Sequence, residues 1–192
     1  MIRPLLAGVA CVALLAACNQ EQSPEAVDKV QDMAAGPVGQ TSAATMGANT
    51  VSAYVPSAAI GDMYEIQAAD MALERTENAQ VRELAQMIKT DHTAASERLR
   101  AAAQAAGETL PTELDERRQG MLDNLRAASS AEEFDRVYIA QQVAAHEEAL
   151  ALHRGFADND ENAALAQHAQ SVIEPIEMHH QRAEQLQEGA AS

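Results

Sequence analysis

Between residues 81 and 106, Val81, Ala85, Ile88, His92, Ala95, Leu99, Ala102 and Ala106 recur every three or four positions. That period places them on one stripe of an amphipathic α-helix. Asn78 suits its N-cap, Gly107 its C-terminal stop, and about 28 uninterrupted residues give roughly 42 Å of helix. A helix of this kind is unstable alone in water, so the pattern demands partners of similar length. Residues 57–75 supply one, with Ala59, Met63, Ile66 and Leu73 as its stripe, Ala58, Ala69 and Ala72 widening it, and Glu65 within the widened side. The short turn Thr76-Glu77-Asn78 makes these two helices antiparallel neighbours. Gly107 to Pro111 then break the pattern, and a short helix over 112–128 brings Leu114, Met121 and Leu125 inward. That connection is long enough to cross the bundle. A third long helix opens at Ser130 and Glu133, which have capping-box spacing, and carries Phe134, Val137, Tyr138, Ala145, Ala149, Leu152 and Phe156 inward. His146 and His153 follow its edge. A fourth, over 161–187, turns Leu165, Ala169, Val172, Ile176, Ala183 and Leu186 inward, with His179 and His180 flanking the seam and Pro175 expected to bend it. The fold class is all-α: a four-helix bundle over 55–188, a short extra helix between its second and third long helices, and a tail over 189–192.

Composition supports this reading. The 192 residues are 47% apolar but only 3% aromatic, with no Trp. Small side chains let helices approach closely. The formal charge of −16 excludes nucleic acid as a partner, because no basic face can be assembled against a phosphate backbone. Simple electrostatic attachment to anionic lipid is excluded on the same ground.

The N-terminus predicts a different route to the membrane. Arg3 precedes an apolar run over 5–17, too short to span a bilayer, and Leu15-Ala16-Ala17-Cys18 resembles the lipoprotein box of bacterial export signals. The resemblance implies that residues 1–17 are a signal peptide and that Cys18 carries lipid, anchoring the protein to the periplasmic face of the outer membrane. Asn19 matches the outer-membrane sorting class. Residues 18–54, polar and rich in Gly, Ser, Thr, Ala and Gln, read as a lipidated tether. Cys11 would leave with the signal and Cys18 would be spent on lipid, so the bundle has no disulfide and no thiolate ligand.

Candidate chemistry rests on acids and imidazoles near the inner faces: Glu65, Asp91 beside His92, His146, and Glu177 with His180 three residues on. Bundles build sites for divalent metals from such groups. Counting residues from the turns places Glu65, His92 and His146 near mid-height, whereas His180 falls about six residues, or roughly 9 Å, from that level. The same residues also read as core histidines hydrogen-bonded to carboxylates, with no metal. His153, His168 and His179 read as solvated or partly packed. A third reading is a pH-responsive module, since six histidines ordinarily titrate near 6.5. No phosphate loop, nucleophile elbow or dinucleotide fingerprint is present.

The runs Ala58-Ala59-Ile60-Gly61-Asp62-Met63-Tyr64-Glu65, Leu84-Ala85-Gln86-Met87, Asp91-His92-Thr93, Phe134-Asp135-Arg136-Val137-Tyr138 and Ala145-His146-Glu147, then Pro175 and His180, resemble a bacterial family defined only as domain of unknown function 4142. The resemblance implies a ferritin-like bundle, often exported and lipid-anchored, and no established activity. It carries the family's recurrent acids and histidines onto Glu65, Asp91, His92, His146 and His180. Ferritin-like di-iron proteins pair a Glu with a His three residues on in two helices. Glu177 and His180 match that pair, but Lys89 and Val143 stand where the other Glu would be. The pattern is more consistent with a single divalent ion, or none. The expectation is therefore a lipid-anchored envelope bundle, a non-catalytic binding or stress protein, with metal binding as the alternative. Any protein partner, including a second copy of the chain, is left open.

Overall fold

The computed structural model describes residues 49–190. The expected signal segment, Cys18 and most of the tether lie outside the described residues. Five helices follow in order: α1 (Val51–Arg75), α2 (Ala79–Ala106), α3 (Glu116–Ala127), α4 (Ala131–Phe156) and α5 (Ala163–Ala190). Among the described residues there is no strand. The four long helices form a ring in which α1 packs on α2 and α4, and α5 packs on α2 and α4. Ion pairs and ring contacts fix the directions. Glu83 faces Arg182 and Asp91 faces His179, so α2 and α5 are antiparallel. Tyr54 stacks on Phe156 while Arg75 lies over Phe134, so α1 and α4 are antiparallel too. With short turns making α1–α2 and α4–α5 antiparallel, the connection from α2 to α4 must run the length of the bundle. The short helix α3 rides in that crossover.

The caps follow local chemistry. The Asn78 side chain accepts from the Gln80 N–H, and Gly107 closes α2 in the left-handed region at φ 76°, where a Cβ would be strained. Ser130 caps the Glu133 N–H, but the Glu133 carboxylate reaches back to Ser129, one residue beyond the expected box. The crossover is tied down by polar contacts as well as by Met121, Leu122 and Leu125. Tyr64 donates to the Gln141 amide oxygen at 2.8 Å, and the same amide donates to the Met121 carbonyl at 3.0 Å. Arg75, in the last turn of α1, donates to the Leu125 and Ala128 carbonyls at the end of α3.

Three corrections to the expected register follow. The tether does not extend to residue 54: α1 begins at Val51, and Tyr54 and Val55 are fully buried. Pro56 forfeits one hydrogen bond in the second turn, but the stacked rings of Tyr54 and Phe156, 3.9 Å apart, hold the turn in place. In α1 the seam is formed by Ala58, Asp62, Glu65, Ala69 and Ala72, while Met63, Ile66 and Leu73 are only partly buried. Finally, α5 continues unbroken through Pro175 and spans Ala163–Ala190, ending later than the sequence pattern suggested.

The apolar core is divided. One cluster gathers Tyr64, Leu84, Ile88, Leu122, Phe134 and Tyr138 near the α1–α2 turn, and another gathers Tyr54, Leu99, Phe156 and Leu165 at the far end. Between them lies a polar layer. Because Tyr54 belongs to the far cluster, Tyr54→Ala should cost about 3–5 kcal/mol of unfolding free energy, typical for deleting a buried aromatic ring. Urea unfolding would measure it; a change near zero would mean that residues 51–54 belong to the tether after all.

Candidate metal centre

Every long helix places a polar residue where its seam calls for an apolar one: Asp62 and Glu65 on α1, His92 on α2, Gln142 and His146 on α4, and His179 on α5. Each sits near the midpoint of its helix, so all meet at one level. One nitrogen from each of His92, His146 and His179 lies within 4.8 Å of the others, and all three residues are buried. Their ring centroids are 5.4–5.7 Å apart.

Hydrogen bonds orient these rings. His92 Nδ1 is 2.8 Å from Asp62 Oδ1, His146 Nδ1 is 2.9 Å from the Gln142 carbonyl, and His179 Nε2 is 2.9 Å from Asp91 Oδ2. Carboxylates and carbonyls only accept, so each of these nitrogens carries the proton. In the neutral rings the opposite nitrogens are bare: Nε2 of His92, Nε2 of His146 and Nδ1 of His179. His92 Nε2 is buried without a partner, and His146 Nε2 faces His179 Nδ1 at 3.4 Å. Two lone pairs at that distance repel unless a cation lies between them. Donors at about 2.0–2.1 Å from a tetrahedral ion stand about 3.3 Å apart, so this edge already has the spacing of a zinc-type centre. The second partner of each imidazole is the device that metal-binding histidines use to fix tautomer and orientation.

The local electrostatics favour neutral rings at two of the three positions. Burial, then the charges of His92 and His179, hold His146 well below the usual imidazole range, and burial with His92 takes His179 down to about 4. For His92, burial also opposes charge, but the hydrogen bond and charge of Asp62, joined by Glu65 and Asp91, outweigh it and raise its pKa. Glu65 lies beside the layer, with Oε1 3.9 Å from His146 Nδ1 and Oε2 buried without a partner; burial pushes its pKa up to about 7. The Gln142 amide, buried next to Glu65, is also without a well-formed hydrogen bond.

A cleft of about 420 Å³ opens between α2 and α5 against this layer, with Asp62, Asp91, His92 and His179 in its wall. Ser171 and Pro175 line it as well. Pro175 has no N–H to give the Ser171 carbonyl, so one helical hydrogen bond is missing beside the cleft.

The expected residues separate accordingly. Glu65, Asp91, His92 and His146 come together: His92 and His146 offer bare nitrogens, Asp91 orients His179, and Glu65 flanks the layer. Glu177 and His180 do not join them. Glu177 pairs with Arg154 at 2.6 Å on the exposed surface, and His180 turns toward Glu147 and Glu184. His179, read as solvated or partly packed, is fully buried, and Asp62 was not singled out at all. Both had a signal. His179 continues the four-three spacing of Val172, Ile176, Ala183 and Leu186, whereas His180 is about 100° off that seam; Asp62 likewise continues Ala58, Glu65, Ala69 and Ala72.

The fold and this layer define an all-α bundle with a buried three-imidazole centre. Residues 36–186 match the domain of unknown function DUF4142, and the chain belongs to that family. No curated protein and no solved structure matches it.

Histidine burial sets a pH signature. His153 is lowered to about 3 by burial and by His168, and His168 to about 4 by burial, despite the opposing charge of Asp62. The expectation that all six histidines titrate near 6.5 therefore fails. Unfolding restores ordinary values near 6.5, so the unfolded chain binds more protons between pH 6.5 and 4. These imidazoles contribute stability that is complete above pH 6.5 and is lost as pH falls. Glu65 and His92, with raised values, act in the opposite sense. In chelator-treated protein, His168→Gln should flatten stability against pH by up to about 1.4 kcal/mol per pH unit between 6.5 and 4.5. Parallel curves for variant and wild type would show that His168 is not held neutral.

Proposed function

We propose that this protein binds a first-row transition metal ion through His92, His146 and His179. The observation that carries the reading is the convergence of three buried imidazoles, each with its other nitrogen committed to Asp62, Gln142 or Asp91. Three neutral nitrogens favour zinc, copper, nickel or iron over magnesium or calcium, which prefer oxygen. With three protein donors rather than four, and a cleft on one side, the arrangement suits exchangeable binding more than a closed structural site. Asp62 and Asp91 balance the ion's charge through the rings. Their carboxylates in the cleft wall also attract a cation on its way in.

Export accords with this reading. The apolar run over 5–17 and the Leu15-Ala16-Ala17-Cys18 box favour a lipid-anchored envelope protein, attached through Cys18 on the periplasmic side of the outer membrane. Among the described residues no helix is long and apolar enough to cross a membrane, so attachment in this reading falls to the lipid. The role is capture or holding of metal in the envelope, with no catalytic step assigned.

The test is elemental analysis of protein purified without a histidine tag or chelator, beside thermal melts with added zinc. A site filled at 100 times its Kd adds about 2.7 kcal/mol, or roughly 5–10 °C in Tm for a domain of this size. His92→Ala, His146→Ala and His179→Ala should each remove that shift, while His180→Ala and Glu177→Ala should retain it. Protein that takes up no zinc, copper, nickel, iron or manganese would overturn the proposal.

A further inference from the structure

Two turns along α4 from His146, toward the far end of the bundle, lies a second set of buried rings that the first site does not use. Tyr54 Oη on α1 is 3.0 Å from His153 Nδ1 on α4. His168 on α5 completes a triangle, with ring centroids 5.6 Å (Tyr54–His153), 6.0 Å (His153–His168) and 6.4 Å (Tyr54–His168) apart. That triangle is only slightly wider than the one formed by His92, His146 and His179. His153 and His168 are each 5% exposed, yet neither ring nitrogen of His168 has a hydrogen-bond partner. A buried polar atom left unmatched is costly, and His168 carries two. A fully apolar end of the bundle would have avoided that cost with Leu or Phe, as Phe156 and Leu165 do beside it.

The donor set is two imidazoles and a phenol oxygen. Donors about 2.0 Å from one ion at angles of 90–110° stand about 2.8–3.3 Å apart, so the Tyr54–His153 contact has the length of a coordination edge. Burial and then the charge of Asp62 hold the Tyr54 phenol above its usual range, so it releases its proton only when a cation binds at its oxygen; Asp62 also acts on His168 in favour of positive charge, and the exposed Arg98 opposes it there, where water screens it. We propose that Tyr54, His153 and His168 form a second metal site, independent of the three-histidine layer, that takes copper(II). Copper(II) binds such nitrogen and oxygen donors most tightly among the divalent first-row ions. On binding, the Tyr54 O–H bond breaks as the O–Cu bond forms, the proton passes to water, and copper stays in the +2 state.

The experiment is a titration of the full-length His92→Ala/His146→Ala variant with copper(II), read by elemental analysis after desalting and by visible absorption. Retention of one equivalent, with a phenolate-to-copper charge-transfer band, is the expected result. Adding Tyr54→Phe, which keeps the ring and its stacking on Phe156, should abolish the band, and adding His168→Gln should lower retention at least tenfold. No retained copper in the double variant overturns the proposal. So does copper that survives both additions without the band, because the ion is then held elsewhere. Circular dichroism confirms that each variant is folded before titration. The two sites are separable: His168→Gln in the otherwise unchanged protein keeps one equivalent if the three-histidine site is real, whatever becomes of the second.

Discussion

A layer of imidazoles and carboxylates placed across the middle of an alanine-rich bundle is the constraint around which this structure is arranged. Uncompensated burial of such groups costs several kcal/mol, so each needs a partner, which His146 finds on its own helix and His92 and His179 on a neighbouring one. Asp62 on α1 answers His92 on α2, and Asp91 on α2 answers His179 on α5. These contacts fix the vertical register of the bundle, because a slip of one turn, about 5.4 Å, would leave both pairs unmatched. Apolar packing alone would tolerate the slip far better, since alanine stripes look alike from turn to turn.

The division of the core follows. Large side chains collect at the two ends, Tyr64, Phe134 and Tyr138 on one side and Tyr54, Phe156 and Leu165 on the other. The middle holds a smaller apolar cluster, Ala95, Leu150, Val172 and Ile176, and includes groups still lacking partners, among them His92 Nε2 and Glu65 Oε2. Such a cost is commonly retained where a ligand satisfies the exposed lone pairs, and the bundle surrounds it with enough well-packed surface to hold it open. The crossover helix α3 belongs to the same economy. It covers the α1–α4 groove next to the polar layer, and Tyr64, Gln141 and the Met121 carbonyl tie it there.

The carboxylates stand apart from the bare imidazole nitrogens. Asp62 and Asp91 bond the far sides of the His92 and His179 rings, so their negative charge would reach an ion at the bare nitrogens through imidazole rather than by direct contact. The cleft between α2 and α5 leaves one side of the layer open, in contrast to the sealed structural zinc sites that four thiolates or imidazoles make.

The helices themselves were legible in the sequence, because amphipathic periodicity and caps are local: Asn78, Gly107 and Ser130 mark their ends by chemistry that needs no neighbour. The crossover was legible only as an allowance, since a connection of that length can cross the bundle but need not; the ion pairs and ring contacts between helices decide that it does. The start of α1 was not, because Tyr54 is helical through its stacking on Phe156, a contact about a hundred residues distant. Half of the site could be read directly, as His92 and His146 stand on clear seams. His179 and Asp62 escaped because an apolar criterion passes over polar residues at seam positions, and a shift of one residue, from 179 to 180, turns a side chain by about 100°. Which nitrogens are bare is a tertiary matter: the tautomer of each imidazole is set by an acceptor on its own or a neighbouring helix, and only the packed bundle brings acceptor and ring together.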